Sequence, residues 1–391
     1  MTTWSRTNNH AMRLLYFVPL LSTVGGQERT LTDKANFLAS RGHQVMFVTY
    51  EHEGPLAYQL DASVEHRDLH CHVFTLYRYP LWRRFFEMLR LKRQFRDRLR
   101  GVQEQFRPDA VVVAIPNTEN FICDVMRVAG ATPVVVESHL AYGHDVIRRG
   151  VTEKWLYRIF NPRKAIARAQ LLIALTEGDA RCWREQGMRR VTVIPNPVTS
   201  YPEAIPQLPS SVSAPRIICV GRLTPQKRID RLIDAFALIA GEFPAWHVDI
   251  FGEGELKEQL LRQIADKGLG GRVRILPPTG DIYSEYLRSQ LFVLCSDFEG
   301  FGLVIVEAMA CGMPVVVTDC PYGPSEIIED GISGLLSRLD AEDLAVKMAR
   351  VMADDALRLA MGRQARLSAA RFRKERVIPL WEQAYRSAAG Q

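Results

Sequence analysis

Nowhere in this chain do about twenty consecutive apolar residues occur, so no segment reads as a membrane-spanning helix. Cysteine is sparse and unpatterned. The seven, at 71, 123, 182, 219, 295, 311 and 320, form no C-x-x-C and no Cys/His group with metal-ligand spacing. An odd, scattered set excludes a disulfide framework and a zinc module, and reads as reduced thiols of a cytosolic protein. Short internal repeats and low-complexity tracts are missing, which excludes a solenoid. A complete G-x-G-x-x-G is missing too: Phe251-Gly-Glu-Gly254 is followed by Leu256 and Lys257, which speaks against a nicotinamide enzyme. No aspartate-rich metal motif stands out, so no metal is expected to be required.

What is present is a chain of 391 residues, 47% hydrophobic and 24% charged, the composition of a soluble globular protein. That length exceeds one ordinary core and favours two domains. Apolar β-rich runs alternate with helical patterns. They lie at 12–18, 44–49, 110–115, 133–136, 171–175 and 191–194, then at 216–220, 246–251, 272–276, 291–294 and 314–317. Most are unbroken Val/Ile/Leu runs, as in parallel strands buried on both faces. The class is therefore α/β, with doubly wound parallel sheets. Leu14 to Val24 follow Arg13 and could pass for a secretory signal. A buried first strand running into the Gly25-Gly26 turn fits better, because a helical pattern follows at the distance of a βα unit. Five prolines and several serines at 197–215 mark an exposed connector. The expected domains are 1–197, a linker at 198–215, a second domain at 216–370, and a C-terminal helix at 371–391 that packs back on the first domain.

Charge is concentrated in one place. Residues 78–107 hold ten basic and three acidic side chains, net +7, against +6 for the whole chain. Phe85, Met88, Leu89, Phe95, Leu99, Val102 and Phe106 recur there at helical spacing. Two readings stay open: a core-facing stripe with a solvated basic back, or a patch that meets anionic lipid headgroups or a polyprenyl-diphosphate acceptor. No nucleic-acid recognition motif accompanies the segment, so nucleic acid is not an expected partner.

The segment from Cys295 to Pro314 carries the densest chemistry. A buried strand (291–294) leads through a turn with Gly300 and Gly302 into a helix that starts near Leu303. A helix start offers free backbone N–H groups and a positive dipole end, which suit a phosphate. Glu307, about one turn in, could accept two ribose hydroxyls. Glu299, in the turn, could bind sugar hydroxyls. On spacing alone, the alternative is an ordinary strand–turn–helix with surface glutamates. A second site, Gly221-Arg222-Leu-Thr-Pro-Gln-Lys227, places two cations beyond a strand end, where they could neutralise a diphosphate leaving group.

The pairing of Gly221-Arg222-Leu-x-x-x-Lys227 with Glu299-x7-Glu307 resembles the retaining GT-B glycosyltransferases of family four, over essentially the whole chain after Met12. Asp319-Cys-Pro-Tyr-Gly-Pro-Ser-Glu-Ile-Ile328 and Asp330-Gly-Ile-Ser-Gly-Leu-Leu336 resemble the branch that builds bacterial surface polysaccharides and lipid-linked glycans. The resemblance implies two Rossmann-like domains facing across a cleft, the first for the acceptor and the second for the donor. It implies a nucleotide-sugar donor, with a UDP-sugar favoured, and a glycan acceptor with a polyprenyl-diphosphate-linked one as a candidate. The place of action would be the cytoplasm, with the inner face of the membrane as a peripheral station.

By the same resemblance, Arg222 and Lys227 would hold the diphosphate, Glu299 the donor sugar and Glu307 the ribose. Gly221 and the backbone at Phe301, Gly302 and Leu303 would approach the donor. Gly25 and Gly26 would form an amino-terminal glycine loop near the phosphates. His139 would orient the sugar or stabilise charge at the anomeric carbon, with His144 as a nearby competitor, and Asn196 would be structural. Phe251-Gly-Glu-Gly254 resembles the loop beside the nucleobase. Pro277-Pro278 stand where many relatives have glycine, a departure that leaves the base open. A sugar-nucleotide epimerase of the same fold and a non-catalytic nucleotide-sugar-binding protein are the alternatives.

Overall fold

The computed structural model of the chain describes residues 11–116, 118–142, 162–205 and 214–391. His144 and residues 206–213 of the proline-rich connector lie outside the described residues. By contacts the chain divides into two compact units. The first comprises Met1–Ala174, Ala180–Ile194 and Ile378–Gln391, and the second Leu175–Asp179 and Pro195–Val377.

The first unit is built on seven parallel strands: β1 (Arg13–Phe17), β2 (Gln44–Thr49), β3 (Glu65–Asp68), β4 (Ala110–Ile115), β5 (Val134–Ser138), β6 (Leu171–Ala174) and β7 (Val191–Val193). Their order is β3-β2-β1-β4-β5-β6-β7. Leu15 pairs with Met46 on one side and Val111 on the other, so β1 is central and buried on both faces. The core on one face of the sheet joins Phe17, Tyr50, Phe95 and Phe121, with the Phe95 and Phe121 rings stacked at 4.1 Å.

The second unit repeats the plan with six strands: β8 (Arg216–Val220), β9 (His247–Phe251), β10 (Val273–Leu276), β11 (Leu291–Leu294), β12 (Val315–Thr318) and β13 (Leu335–Ser337). The order is β10-β9-β8-β11-β12-β13, again wholly parallel. In both sheets the strand order reverses beside the first strand, at β1/β4 and at β8/β11. That reversal leaves a crevice outside the carboxyl ends of the strands, the place where open α/β sheets take ligands.

Two strands carry no signal that period or composition could reveal. Strand β3 reads Glu-His-Arg-Asp and lies at a sheet edge, where charged side chains discourage pairing with other chains. Strand β13 is a three-residue Leu-Leu-Ser at the opposite kind of edge, too short to read as a run. The helix at the C-terminus spans Lys374–Ala389. It changes units within its length: Phe372 just before it packs edge-on against Phe301 in the second unit, whereas Trp381 and Tyr385 are buried in the first. The division thus falls at Val377, inside the helix, and not at 371.

The basic amphipathic helix forms over Leu81–Phe106. Its apolar positions do not make one stripe. Phe95, Leu99, Val102 and Phe106 enter the first core and Met88 packs against it, but Phe85 and Leu89 face solvent. Among the described residues no helix is long and apolar enough to cross a membrane.

Candidate functional site

The carboxyl ends of β8 and β11 bring the two candidate motifs of the second unit together. After β8 the chain turns through Gly221-Arg222-Leu223 into a short 3-10 turn, Pro225–Lys227. After β11 it runs through Ser296 to Glu299 and on to the helix Leu303–Ala310. The Asp297 N–H donates to the Gln226 carbonyl, and the Gln226 amide donates to the Phe298 carbonyl, both at 2.9 Å. Arg231 fastens the same two segments, donating to the Cys295 carbonyl at 2.8 Å and to Asp297 at 2.6 Å. Arg228, left-handed at φ 47°, bridges Asp230 and Asp297.

This frame puts Lys227 against Glu299. The Lys227 Nζ donates to Glu299 Oε1 at 2.6 Å, and the buried Ser296 hydroxyl donates to the same oxygen at 2.6 Å. Glu299 Oε2 bonds to none of the described residues, so one acceptor oxygen remains for a ligand hydroxyl. An ammonium has three donors, and two of those on Lys227 are left. Arg222 is exposed and makes no ion pair among the described residues. Ser296, Arg228 and Arg231 escape a reading of the sequence: serine and arginine are commonplace, and only the fold brings them to the motif.

Glycine is demanded here for close approach. A Cβ at Gly252 would stand 1.9 Å from the Gly221 carbonyl oxygen, and one at Gly254 would stand 2.4 Å from that of Leu223. The Leu223 N–H in turn donates to the Glu253 carbonyl at 2.8 Å. Phe251-Gly-Glu-Gly254 therefore lies flush against Gly221-Arg222-Leu223. At the other motif, Gly302 takes φ 94° as the residue before Leu303 and sets the direction in which the helix starts. Phe301 is buried and Leu303 opens the helix.

Glu307 is buried, 3% exposed, and one oxygen accepts from the Tyr286 hydroxyl at 3.3 Å. Burial, and then the Glu307 charge, push the Tyr286 hydroxyl well above its ordinary range, so it remains a neutral donor to that carboxylate. Asn196 is buried, with its Oδ1 lacking a partner among the described residues. The cysteines form no disulfide, and burial pushes Cys71 up to about 11 and Cys311 to about 12, which leaves these two as unreactive thiols.

In the first unit, His139 follows β5, and its backbone N–H donates to the Ile115 carbonyl at the end of β4. Its ring is buried. Nε2 lies 3.0 Å from Glu137 Oε2. Burial alone would raise the Glu137 carboxyl, but the Lys34 ammonium and the bonds from His139 and Lys34 hold it down at about 2. A carboxylate only accepts, so Nε2 carries the proton, and Nδ1 lacks a partner among the described residues. Lys34 donates to both Glu137 oxygens at 2.7 Å and lies 3.6 Å over the Trp381 ring, and Tyr385 also donates to Glu137. Gly25 precedes the helix Gly26–Ser40 at φ −156°, which any residue adopts. A Cβ at Gly26 would meet nothing within 4 Å, whereas one at Gly25 would stand 2.4 Å from the Glu28 carboxylate; the pair leaves bare backbone at a helix start. The structure thus gathers Gly221, Arg222, Lys227, Glu299, Phe301, Gly302 and Leu303 at one switch point. It places Gly25, Gly26 and His139 in the other unit.

Among the described residues no cluster of His, Cys, Asp and Glu could hold a metal ion. Residues 24–200 match the family model described as Glycosyltransferase Family 4, and residues 200–368 match that of Glycosyl transferases group 1. An uncharacterized glycosyltransferase of Haemophilus influenzae is 24% identical over 94% of this chain and 98% of its own length. An exopolysaccharide phosphotransferase of Streptomyces coelicolor is 36% identical over 55% of this chain, but the match spans only 23% of that protein. Among solved structures, S. aureus TarM in complex with UDP and alpha-GlcNAc-glycerol is similar in fold, with a TM-score of 0.77 at 16% identity over 96% of this chain and 99% of that one.

Proposed function

The chain belongs to the family 4 glycosyltransferases of GT-B fold, and we propose that it is a retaining hexosyltransferase that moves a sugar from UDP to a hydroxyl of a growing bacterial cell-surface glycan. The observation that carries this reading is the second switch point. There Lys227 meets Glu299 on two segments that Arg231 and Asp297 fasten together, and the segment of Glu299 runs on into the helix start at Leu303.

The donor occupies the second unit. Arg222, Lys227 and the N–H groups at Leu303 neutralise the diphosphate, the main electrostatic task when a sugar leaves a nucleotide. Glu299 Oε2 takes a hydroxyl of the transferred sugar, Glu307 takes the ribose, and Gly252 to Gly254 adjoin the base. The bond between the anomeric carbon and the β-phosphate oxygen breaks as the acceptor oxygen attacks from the same face. The departing phosphate accepts the acceptor's proton. His139, with Nε2 committed to Glu137, offers Nδ1 to a ligand hydroxyl at the first unit. The first unit takes the acceptor. The fold likeness to a structure holding UDP supports a UDP donor.

A thermal-shift panel with UDP, GDP and ADP tests the donor site. A ligand at a hundred times its Kd stabilises the fold by about 2.7 kcal/mol. UDP is expected to give that shift selectively, and Lys227→Ala to lose most of it. Equal shifts with all three nucleotides, or an unchanged shift in Lys227→Ala, would remove the assignment.

A further inference from the structure

The helix Leu81–Phe106 carries two apolar faces where a core helix needs one. Met88 and Leu91 pack against the first core, and Phe95, Leu99, Val102 and Phe106 enter it. Trp82, Phe85, Phe86 and Leu89 point elsewhere, with exposures of 69%, 45%, 65% and 44%. At 3.6 residues per turn their spacing of three and four places them on one stripe, roughly a third of a turn from the buried one. The stripe is confined to the first three turns of the helix. Arg93 continues it toward the C-terminus, and Arg83 and Arg90 flank it, all three exposed. The Arg83 guanidinium lies 4.5 Å over the ring of Tyr79, which is itself partly exposed just ahead of the helix.

Two further facts choose the occupant. The other cations of this helix are engaged elsewhere: Lys92 and Arg96 both pair with Asp124 at 2.8 Å, Arg84 donates to the Leu76 carbonyl, Arg98 donates to the Leu69 and His70 carbonyls, and Arg100 pairs with Asp97 at 3.6 Å near the far end of the helix. Arg83, Arg93 and Arg90, the last also reaching Glu87 at 3.7 Å, are the outward charge beside four large apolar side chains. The segment 78–107 is net +7. A second copy docking by two-fold symmetry would set this charge against itself. A surface that offers apolar depth beneath negative headgroups satisfies both components at once, with Trp82 and Tyr79 suited to the interfacial layer.

We propose that the first three turns of this helix, with Tyr79, form a membrane-docking surface specific for anionic lipid, in which Trp82, Phe85, Phe86 and Leu89 insert and Arg83, Arg90 and Arg93 contact headgroups. The surface lies on the first unit and involves no residue of the donor site, so its failure and that of the donor assignment are separable.

The test is flotation of the full chain with vesicles of phosphatidylcholine alone and of phosphatidylcholine mixed with phosphatidylglycerol. Binding is expected only with the mixed vesicles and should weaken as salt rises. Arg90→Gln with Arg93→Gln should weaken it about thirtyfold, taking the usual contribution of each basic residue near a charged membrane. Phe85→Glu with Phe86→Glu should abolish it. Both pairs are exposed, so melting temperature and the UDP-induced shift should match wild type, which separates a lost surface from a lost fold. The vesicle-induced blue shift of tryptophan fluorescence should vanish in Trp82→Phe. Binding to neither vesicle, equal binding to both, or an aromatic variant that floats like wild type would overturn the proposal. So would loss of a dimer in the aromatic variant with vesicle binding intact, which would make a second copy the occupant.

Discussion

At the residue scale, the least expected feature is a lysine with no exposure to solvent. Lys34 and Glu137 are both fully buried, and each is wrapped by the other's hydrogen bonds and by Tyr385 and Trp381. Removing one partner of such a pair strands a charge, with a typical penalty of about 3–5 kcal/mol, whereas removing both together with apolar replacements often costs little. Glu137→Ala should therefore lower stability by about that amount in chemical denaturation, and Lys34→Met with Glu137→Leu should recover most of it. The pair also sets a pH dependence. Glu137 is depressed from 4.5 to about 2 in the fold, so its contribution is complete above the ordinary value and fades as pH falls through about 2. Stability should drop between those values, and Glu137→Gln should flatten that slope. An unchanged slope would place the acid sensitivity elsewhere. Neither residue announces itself in the sequence. A lysine inside a helical pattern reads as surface, and only the return of the C-terminal helix shows why it is enclosed.

At the element scale, the glycines distinguish turns that merely bend from turns that must touch. Gly252→Ala would drive a methyl group into the Gly221 carbonyl at 1.9 Å. The displaced strand ends would carry Arg222 away from Lys227. Gly271 has open space around its missing Cβ and no positive φ. The prediction is that Gly252→Ala loses about 1–3 kcal/mol of stability, as overpacking does, together with the UDP shift, while Gly271→Ala leaves both near wild type. Equal effects would show that close approach is not what Gly252 provides. The motif Phe251-Gly-Glu-Gly254 was visible in the sequence, but its neighbour was not, since spacing along a chain does not give the partner across a sheet. The long Val/Ile/Leu strands were legible because burial on both faces writes itself into composition. Strand β3 was not, because an edge strand with Glu65, His66, Arg67 and Asp68 follows the opposite rule. The amphipathic helix was half legible: its period was plain, but a period of three and four does not tell a core stripe from an exposed one, and Phe85 and Leu89 fell on the wrong side.

At the scale of the whole molecule, two units of different sequence share one strand order, and each brings its switch point to a different set of candidate residues. The α/β class and the parallel sheets followed from alternating patterns. The division of the chain at Val377 did not, because a continuous helix hides a change of allegiance from any reading of propensity. The candidate residues of the second unit stood out in the sequence as a motif. What holds them there, namely Ser296, Arg231 and Asp297, emerges only when β8 and β11 are seen side by side. The central claim is that the diphosphate of a nucleotide sugar sits at the β8/β11 switch point. Its most direct test is a crystal structure with UDP bound. The account predicts both phosphates within hydrogen-bonding distance of Arg222, Lys227 and the Leu303 N–H, with the ribose hydroxyls on Glu307. A nucleotide bound away from that switch point, with Lys227 still engaged only by Glu299, would contradict it.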